Sequence, residues 1–158
     1  MSVFLLPISV QDYATFLEQA TDTYVVGAVQ SGEMTLEQAH ARADADLAAL
    51  LPAGPQTPGM LLRTIAVDGE PVGHIWLGFR GPTEAQYGWV WSVYVHPQHR
   101  SQAHAERAIR LVEAEALERF GITEVRLNVF AVNRGAIRLY ERLGYTVTSQ
   151  VMRRTVHP

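Results

Sequence analysis

The segment from Leu127 to Tyr145 constrains the fold of this 158-residue chain more than any other stretch. Apolar and polar residues alternate from Val125 to Val129, as they do in a strand with one buried face. From Asn133 to Leu143 the apolar residues recur at helical spacing, and Gly144 is of the residue type that most often ends a helix. The segment therefore predicts a strand followed by a short helix, which needs a larger sheet to pack against.

The first half of the chain supplies part of that sheet and two helices. Val3 to Leu6 is a short apolar run that predicts a strand, and the residues after Ser9 have helical spacing. Thr35 followed by Gln38 matches a capping box and predicts the start of a second helix. Asp68-Gly69 lies between two strand-like runs and predicts a hairpin turn.

The second half completes the order of elements. A third strand of the meander is expected from Tyr87 to Val95 and ends at Pro97, because proline cannot donate to a sheet ladder. A long helix is expected from about Ser101 to Phe120, and one or two final strands between Tyr145 and Val156. The predicted order is β-α-α-β-β-β-α-β-α-β, a mixed α/β (α+β) architecture with a right-handed β-α-β unit near its end.

Composition excludes several classes of protein. The formal net charge is −3 without a basic block, which argues against a nucleic-acid binder. No stretch approaches the roughly 18 apolar residues of a membrane span, and the first residues lack the basic start of a signal peptide. Cysteine is absent, and the six histidines show no zinc-ligand spacing. We therefore expect a cytoplasmic protein without a metal, a nucleic-acid partner or a membrane partner.

Three stretches between Val93 and Tyr145 carry a more specific signal. They are Val93-Tyr94-Val95, Arg100-Ser101-Gln102-Ala103-His104-Ala105 and Asn133-Arg134-Gly135-Ala136-Ile137-Arg138-Leu139-Tyr140-Glu141-Arg142-Leu143-Gly144-Tyr145. Their succession resembles the GNAT N-acetyltransferase superfamily over about residues 60 to 156, including its Asn-x-x-Ala-x-x-x-Tyr-x-x-x-Gly-Tyr pattern. The resemblance implies a mixed central sheet of about six to seven strands that is splayed open at a CoA-binding site.

Asn133 and Tyr140 are the residues of this pattern with the clearest chemistry. Seven residues of helix turn through about 20° less than two full turns and rise by about 10.5 Å, so both can face one extended ligand. The resemblance implies that Asn133 contacts the pantetheine arm of acetyl-CoA and that Tyr140 is a general acid for the leaving thiolate. The alternative is that Asn133 is an N-cap and Tyr140 a core residue.

The loop before the long helix would hold the pyrophosphate of the same ligand. The resemblance assigns this binding to Arg100, Ser101, Gln102, Ala103, His104 and Ala105, with the helix N-terminus favouring negative charge. Ala103 stands where the family has a glycine; alanine is compatible with right-handed helical backbone, whereas a positive φ would strain it. Ser101 is a candidate N-cap for this long helix. The backbone of Val93, Tyr94 and Val95 is expected to pair with the pantetheine amides as an added strand would.

The general base is the part of the chemistry that the sequence leaves open. Ser92 stands where the family often has a carboxylate, and serine is a poor base without a partner. Glu84, His74 and His96 are the other candidates, and ordered water is a further alternative. Acidic residues of the early helices, such as Asp44 and Asp46, are candidates to attract a cationic acceptor.

These observations predict an N-acetyltransferase formed by a single domain, residues 1–158. It would transfer an acetyl group from acetyl-CoA to an amine of a small molecule or peptide, by direct attack because no cysteine is available for a covalent intermediate. The alternative is a non-catalytic binding module of the same fold with a degenerate CoA loop. Whether the chain acts as a homodimer, and which amine it uses, are open at this point.

Overall fold

A computed structural model describes residues 1–158 and contains five strands, four α-helices and three short 3₁₀ helices. The elements that form the sheet and its cover are, in chain order, β1 (Val3–Pro7), α1 (Tyr13–Gln30), α2 (Leu36–Leu50), β2 (Met60–Val67), β3 (Glu70–Arg80), β4 (Tyr87–Val95), α3 (His104–Phe120), β5 (Val125–Leu127) and α4 (Arg134–Arg142). The mixed α/β architecture predicted from the sequence is confirmed.

The five strands form one sheet in the order β1-β2-β3-β4-β5. The first four strands pair antiparallel as a meander, and β5 pairs parallel with β4 after the crossover through α3. The hairpin between β2 and β3 turns at Asp68 and Gly69, whose φ angles of 50° and 90° are those of the tight turn expected from this dipeptide. Strand β5 is only three residues long and pairs with β4 only from Gly88 to Val90.

Each face of the sheet is covered by helices. On one face α3 buries Ile109, Val112 and Ala116 against the strands, in a cluster that also contains Ile75 and Leu77. On the other face α1 and the end of α2 cover a second cluster that includes Phe16, Leu62 and Trp76. A third cluster of small residues, Val25, Ala28, Ala39 and Ala43, allows α1 and α2 to pack closely together.

A local signal in the sequence fixes where α2 begins. Thr35 accepts a hydrogen bond from the Gln38 backbone N–H, and the Gln38 side chain accepts one from the Thr35 N–H, so the predicted capping box is present.

Helix α3 is tied to β2 by Arg63, whose guanidinium donates to both carboxylate oxygens of Glu115. This pairing, with Arg119 adding a further contact, lowers the pKa of Glu115.

The number of strands corrects the prediction of six to seven. Residues from Tyr145 to Val156 form no strand, and the chain leaves α4 through Gly144 at a φ of 93°. An extended segment becomes a strand only when its backbone finds a ladder partner. Here the tail is held instead by Arg153, whose guanidinium donates to the backbone oxygens of Ser31 and Gly32 after α1. The contact joins the tail to the end of α1.

Candidate active site

The site begins at an irregularity in β4. Trp76 pairs with Ser92, whereas Leu77 pairs with Val90, so Trp91 is an extra residue that forms a β-bulge. Pairing between β4 and β5 ends at Val90, and the rest of β4 has no strand partner on that side. The two parallel strands therefore part at the bulge, and the splayed sheet predicted for the ligand site is present.

A cleft of about 1160 Å³ lies at this opening. It is lined by β4, the start of α3, the segment after β5 and α4 on one side, and by α1 and α2 on the other. Ten of the eleven residues predicted to bind the cofactor line it: Val93, Tyr94, Val95, Arg100, Ser101, Ala103, His104, Ala105, Asn133 and Tyr140. Gln102 does not line the cleft, because its side chain belongs to the exposed outer part of the loop.

The loop before α3 has a left-handed backbone at two residues that are not glycine. Ser101 has a φ of 62° and Ala103 a φ of 61°. The right-handed conformation considered for Ala103 is therefore wrong, and so is the predicted helix start at Ser101, because a left-handed residue cannot continue an α-helix. Helix α3 begins at His104 with Ala103 as its N-cap, and no side chain caps it. The loop keeps the backbone geometry that glycine adopts most easily, at the cost of strain.

Charges around the cleft are divided between its two ends. Arg100, Arg134 and Arg142 line the end formed by α3 and α4, together with one acidic residue, Glu106, which lies 3.7 Å from Arg142. The Arg100 Nε–H donates to the Val95 backbone oxygen over 2.8 Å, which holds the loop against the end of β4. Asp22 and Asp46 line the end formed by α1 and α2, where Asp46 is paired with Arg42. One end therefore favours an anion and the other favours a cation.

Helix α4 presents Tyr140 to the cleft. Its neighbours Leu139 and Leu143 pack against the main core, and Tyr140 is itself half-buried there. Burial raises the pKa of the Tyr140 hydroxyl, so the phenol stays protonated around neutral pH. Asn133 is the N-cap of α4, and its Oδ1 accepts a hydrogen bond from the Ala136 N–H over 3.1 Å. The cap role considered for Asn133 is therefore present, and Asn133 is an exposed residue that also lines the cleft.

The opposite end of the cleft has an aromatic wall. Trp76 is buried, whereas Trp89 and Trp91 are half-buried, and all three line the cleft. The rings of Trp76 and Trp91 stack with 5.7 Å between their centroids, and the Arg80 guanidinium lies 4.6 Å from the centre of the Trp89 ring. The wall is thus rigid, apolar and already paired with a cation on one side.

The candidates for the general base differ in their position relative to the cleft. Glu84 is exposed in a short 3₁₀ helix between β3 and β4, and it does not line the cleft. His96 follows β4 and meets the Tyr94 ring edge to face, also outside the cleft lining. Ser92 lines the cleft, and its hydroxyl oxygen lies 2.8 Å from Nε2 of His74 on β3. The two candidates that the sequence treated separately are therefore hydrogen-bonded partners.

Two contributions to the site were not foreseen from the sequence. Gln19 of α1 places its Oε1 3.2 Å from His74 Nδ1. Phe130, in the segment after β5, lies over Gly27 of α1 and packs near Tyr24, with 6.0 Å between the two ring centres. These contacts join residues that are more than 50 positions apart or that lie in an irregular loop, so no local sequence pattern predicts them. A glycine inside an otherwise helical run was the only local signal at Gly27.

Two further properties of the molecule bear on its class. The structure has no group of three or more His, Cys, Asp or Glu side chains arranged to hold a metal ion. Its helices are each too short or too polar to cross a membrane.

The sheet opens between two parallel strands, with a helix N-terminus and arginines at one end of the opening. Residues 14–145 match the model of the Acetyltransferase (GNAT) family. The chain belongs to this family and is an acyl-CoA-dependent N-acyltransferase.

Known proteins similar to this chain agree with that placement. It is 26% identical over 153 residues to YycN of Bacillus subtilis, described as an uncharacterized N-acetyltransferase, covering 96% of this chain and 97% of the relative. The crystal structure of YycN superimposes with a TM-score of 0.89 at 24% identity, over 99% of this chain and 100% of that one. The PaiA N-acetyltransferase of Thermoplasma acidophilum in complex with coenzyme A has the same fold, with a TM-score of 0.69 at 18% identity over 96% and 94% of the chains.

Proposed function

We propose that this protein is an N-acetyltransferase that moves the acetyl group of acetyl-CoA to an amine of a small molecule or peptide, as a single domain spanning residues 1–158. The observation that carries the proposal is the opening between β4 and β5 next to the start of α3. In this arrangement unpaired strand backbone, a helix N-terminus and a protonated phenol lie along one cleft.

The residues around the opening fit a pantetheine diphosphate. The backbone of Val93, Tyr94 and Val95 has no strand partner on the side of β5 and can pair with the two pantetheine amides. The N-terminus of the 17-residue helix α3 and the Arg100 guanidinium would hold the pyrophosphate. Asn133 would contact the pantetheine arm through its free amide NH₂, because its Oδ1 is engaged as the α4 cap.

The acceptor would enter from the side of α1 and α2. An alkylammonium group is attracted there by Asp22, and the apolar lining removes water from around it. This environment favours the neutral amine over the ammonium ion as the group approaches the thioester. The amine nitrogen then attacks the thioester carbonyl directly, since the chain has no cysteine to form a thioester intermediate.

Tyr140 supplies the acid in this proposal. Tyr140 lines the cleft, and burial raises the pKa of its hydroxyl, which is protonated at neutral pH. When the bond between carbonyl carbon and sulfur breaks, the hydroxyl can protonate the leaving thiolate. The ring is held in place by Tyr145 and the core beneath α4.

The experiment is a calorimetric titration with acetyl-CoA, followed by detection of released thiol with a panel of primary amines and peptides. We expect saturable binding of acetyl-CoA and thiol release that depends on the amine. Arg100→Ala is expected to weaken binding, whereas Arg110→Ala, which removes an exposed arginine of α3 outside the cleft, is the matched control. Absence of binding by the wild-type protein at millimolar acetyl-CoA would favour a non-catalytic module with this fold.

A further inference from the structure

A chain of three hydrogen-bonded side chains runs from the cleft into the protein. Ser92 on β4 lines the cleft, His74 on β3 is buried behind it, and Gln19 on α1 is half-buried beyond that. The Ser92 Oγ lies 2.8 Å from His74 Nε2, and His74 Nδ1 lies 3.2 Å from the Gln19 Oε1. Both distances are those of hydrogen bonds.

The tautomer of His74 follows from the hydrogen-bond partner of each of its two ring nitrogens. With the Gln19 amide turned so that its Oε1 faces His74, this oxygen can only accept, and Nδ1 of His74 carries the proton. Nε2 is then a bare acceptor, and the Ser92 hydroxyl must donate to it. A hydroxyl oxygen that donates its proton still has lone pairs to accept with, and Ser92 lines the cleft, so it can accept a hydrogen bond from an incoming N–H group.

The surroundings of His74 keep its ring neutral and fixed. Its side chain meets Phe16 edge to face and stacks on Tyr94, with centroid distances of 4.8 and 5.7 Å. Burial lowers the pKa of His74 to about 3, and the nearby His96 adds to the effect. Its hydrogen-bond partners, Gln19 and Ser92, are both uncharged. The imidazole is therefore neutral throughout the physiological pH range, and a proton that it accepts during the reaction must leave again quickly.

Ser92 also stands at the reacting end of the opening. It directly follows Trp91, the bulged residue at which β4 and β5 part. The bulge turns the Ser92 side chain to the face that carries His74, Trp76 and α1. This is the face from which the acceptor would enter, whereas Tyr140 belongs to the opposite wall of the same cleft.

We propose that Ser92 and His74 form the proton relay that takes a proton from the amine acceptor, with Gln19 holding His74 in the required tautomer. The inference rests on the proposed acetyl transfer and names the base that this transfer needs. Ser92 is the catalytic residue of the relay because it contacts the amine; His74 and Gln19 are positioning residues that act through it.

The relay accounts for each bond and each proton in the proposed transfer. The amine nitrogen forms a bond to the thioester carbonyl carbon, and its N–H proton moves to the Ser92 oxygen while the Ser92 hydroxyl proton moves to His74 Nε2. The bond from carbon to sulfur then breaks, and Tyr140 protonates the thiolate. The proton on His74 returns through Ser92 and solvent in the cleft to the Tyr140 phenolate, so the enzyme ends as it began and the products are an amide and a free thiol.

A first test does not depend on the acceptor. Long-range ¹H–¹⁵N spectra of protein labelled with ¹⁵N-histidine, with His74 assigned by the loss of its signals in His74→Phe, report which ring nitrogen carries the proton. We expect His74 to be neutral with the proton on Nδ1. A proton on Nε2 would overturn the relay, because His74 would then donate to Ser92 and could not accept from it.

The second test is kinetic and uses acetyl-CoA with the amine that gives the highest thiol release. We expect Ser92→Ala to lower kcat/KM for the amine by about 100-fold, in the range of a lost general base, with the KM for acetyl-CoA unchanged. His74→Phe should cost a similar factor, and the double variant should be no slower than either single variant, because the two side chains act as one unit. Ser92→Thr, which keeps the hydroxyl, should retain most of the rate.

Ser31→Ala is the matched control, since it removes a serine hydroxyl bonded to the Ala28 backbone oxygen away from the cleft. It should leave turnover unchanged. Full activity of Ser92→Ala beside an active wild type would overturn the relay but leave the acetyl transfer intact. Failure of the wild-type protein to bind acetyl-CoA would overturn the transfer itself. An acetylated Ser92 found by mass spectrometry after mixing with acetyl-CoA alone would show a serine nucleophile, and would likewise contradict the relay.

Discussion

The rings of Tyr140 and Tyr145 meet edge to face, with 5.6 Å between their centroids. The Tyr145 hydroxyl donates to Glu113 Oε1 of α3 over 2.5 Å, so Tyr145 is committed to a structural contact. Tyr140 has no such partner, and it lines the cleft. Two tyrosines five residues apart thus offer a direct comparison between a phenol available for chemistry and one that is already engaged.

Replacing Tyr140 by phenylalanine should lower turnover with little effect on acetyl-CoA binding. The ring and its packing remain, and only the acid is lost, which typically costs 10²- to 10⁴-fold, or about 100-fold at the low end. Steady-state kinetics and a calorimetric titration measure the two quantities. Tyr145→Phe is the control: it should reduce stability by about 1 kcal/mol through the lost hydrogen bond to Glu113, yet keep turnover. Equal rates for Tyr140→Phe and wild type would exclude Tyr140 as the acid.

Ala103→Gly should stabilise the protein. A left-handed alanine costs about 1 kcal/mol relative to glycine, and Ala103 has a φ of 61° in the loop before α3. Ala105→Gly, two residues further on and inside the helix, should instead destabilise by about 0.5–1 kcal/mol. Urea denaturation measures both differences. The affinity of Ala103→Gly for acetyl-CoA should equal or exceed that of the wild type, and a marked loss would show that the loop does not bind the pyrophosphate.

Gly27→Ala should destabilise the protein although alanine favours helices. A Cβ at this position in α1 would overlap the ring of Phe130, which must then move. Overpacking of this kind costs about 1–3 kcal/mol, more than the roughly 1 kcal/mol gained in helix propensity. Gly135→Ala in α4 is the control, because its Cβ would meet no atom within 4 Å and should be neutral or stabilising. Thermal melts that rank Gly27→Ala above the wild type would contradict the packing of Phe130 on α1.

His74 should make the protein sensitive to acid. Its pKa is about 3 in the folded protein and 6.5 in the reference state. Between these values the unfolded chain binds a proton that the native protein does not, so the free energy of unfolding rises with pH. Stability is complete above the unfolded pKa and falls by about 1.4 kcal/mol per pH unit as the pH drops toward 3.

His74→Gln tests this linkage. The variant should be less stable than the wild type at neutral pH because the contacts to Ser92 and Gln19 are weakened, but its stability should fall less steeply in acid. Urea titrations at several pH values give the slope. His40→Gln, at an exposed position of α2, should keep the wild-type slope. Parallel curves for His74→Gln and wild type would mean that the His74 ring is not held neutral in the fold.

Predictions from local patterns succeeded where the deciding interaction lies within a few residues. Thr35 and Gln38 cap each other within one turn, and Asp68 and Gly69 adopt their turn conformations almost independently of the rest of the chain. The order of elements up to α4 was accessible for the same reason. The pattern ending in Tyr140 and Gly144 was sufficient to indicate the family, which the match over residues 14–145 confirms.

Errors arose where a backbone depends on what it packs against. Ser101 and Ala103 carry residue types that normally avoid a left-handed conformation, so their sequence gives no sign of the positive φ that the loop imposes. The tail beyond Tyr145 has a composition suited to strands, yet strand formation requires a partner, and Arg153 anchors the tail to the carbonyl oxygens after α1.

The candidate general base shows most clearly how the sequence and the tertiary structure differ in what they reveal. Residue types along the chain were enough to indicate the family and to predict an acid and a ligand loop, because each of these patterns lies in a contiguous stretch. The contact between His74 and Ser92 depends on the register of β3 against β4 and on one extra residue at Trp91. Gln19 reaches the same ring from a helix 55 residues away. Such contacts arise from the packing of distant segments. Ser92 has no evident partner in the sequence, and only this packing brings His74 within hydrogen-bond distance of it.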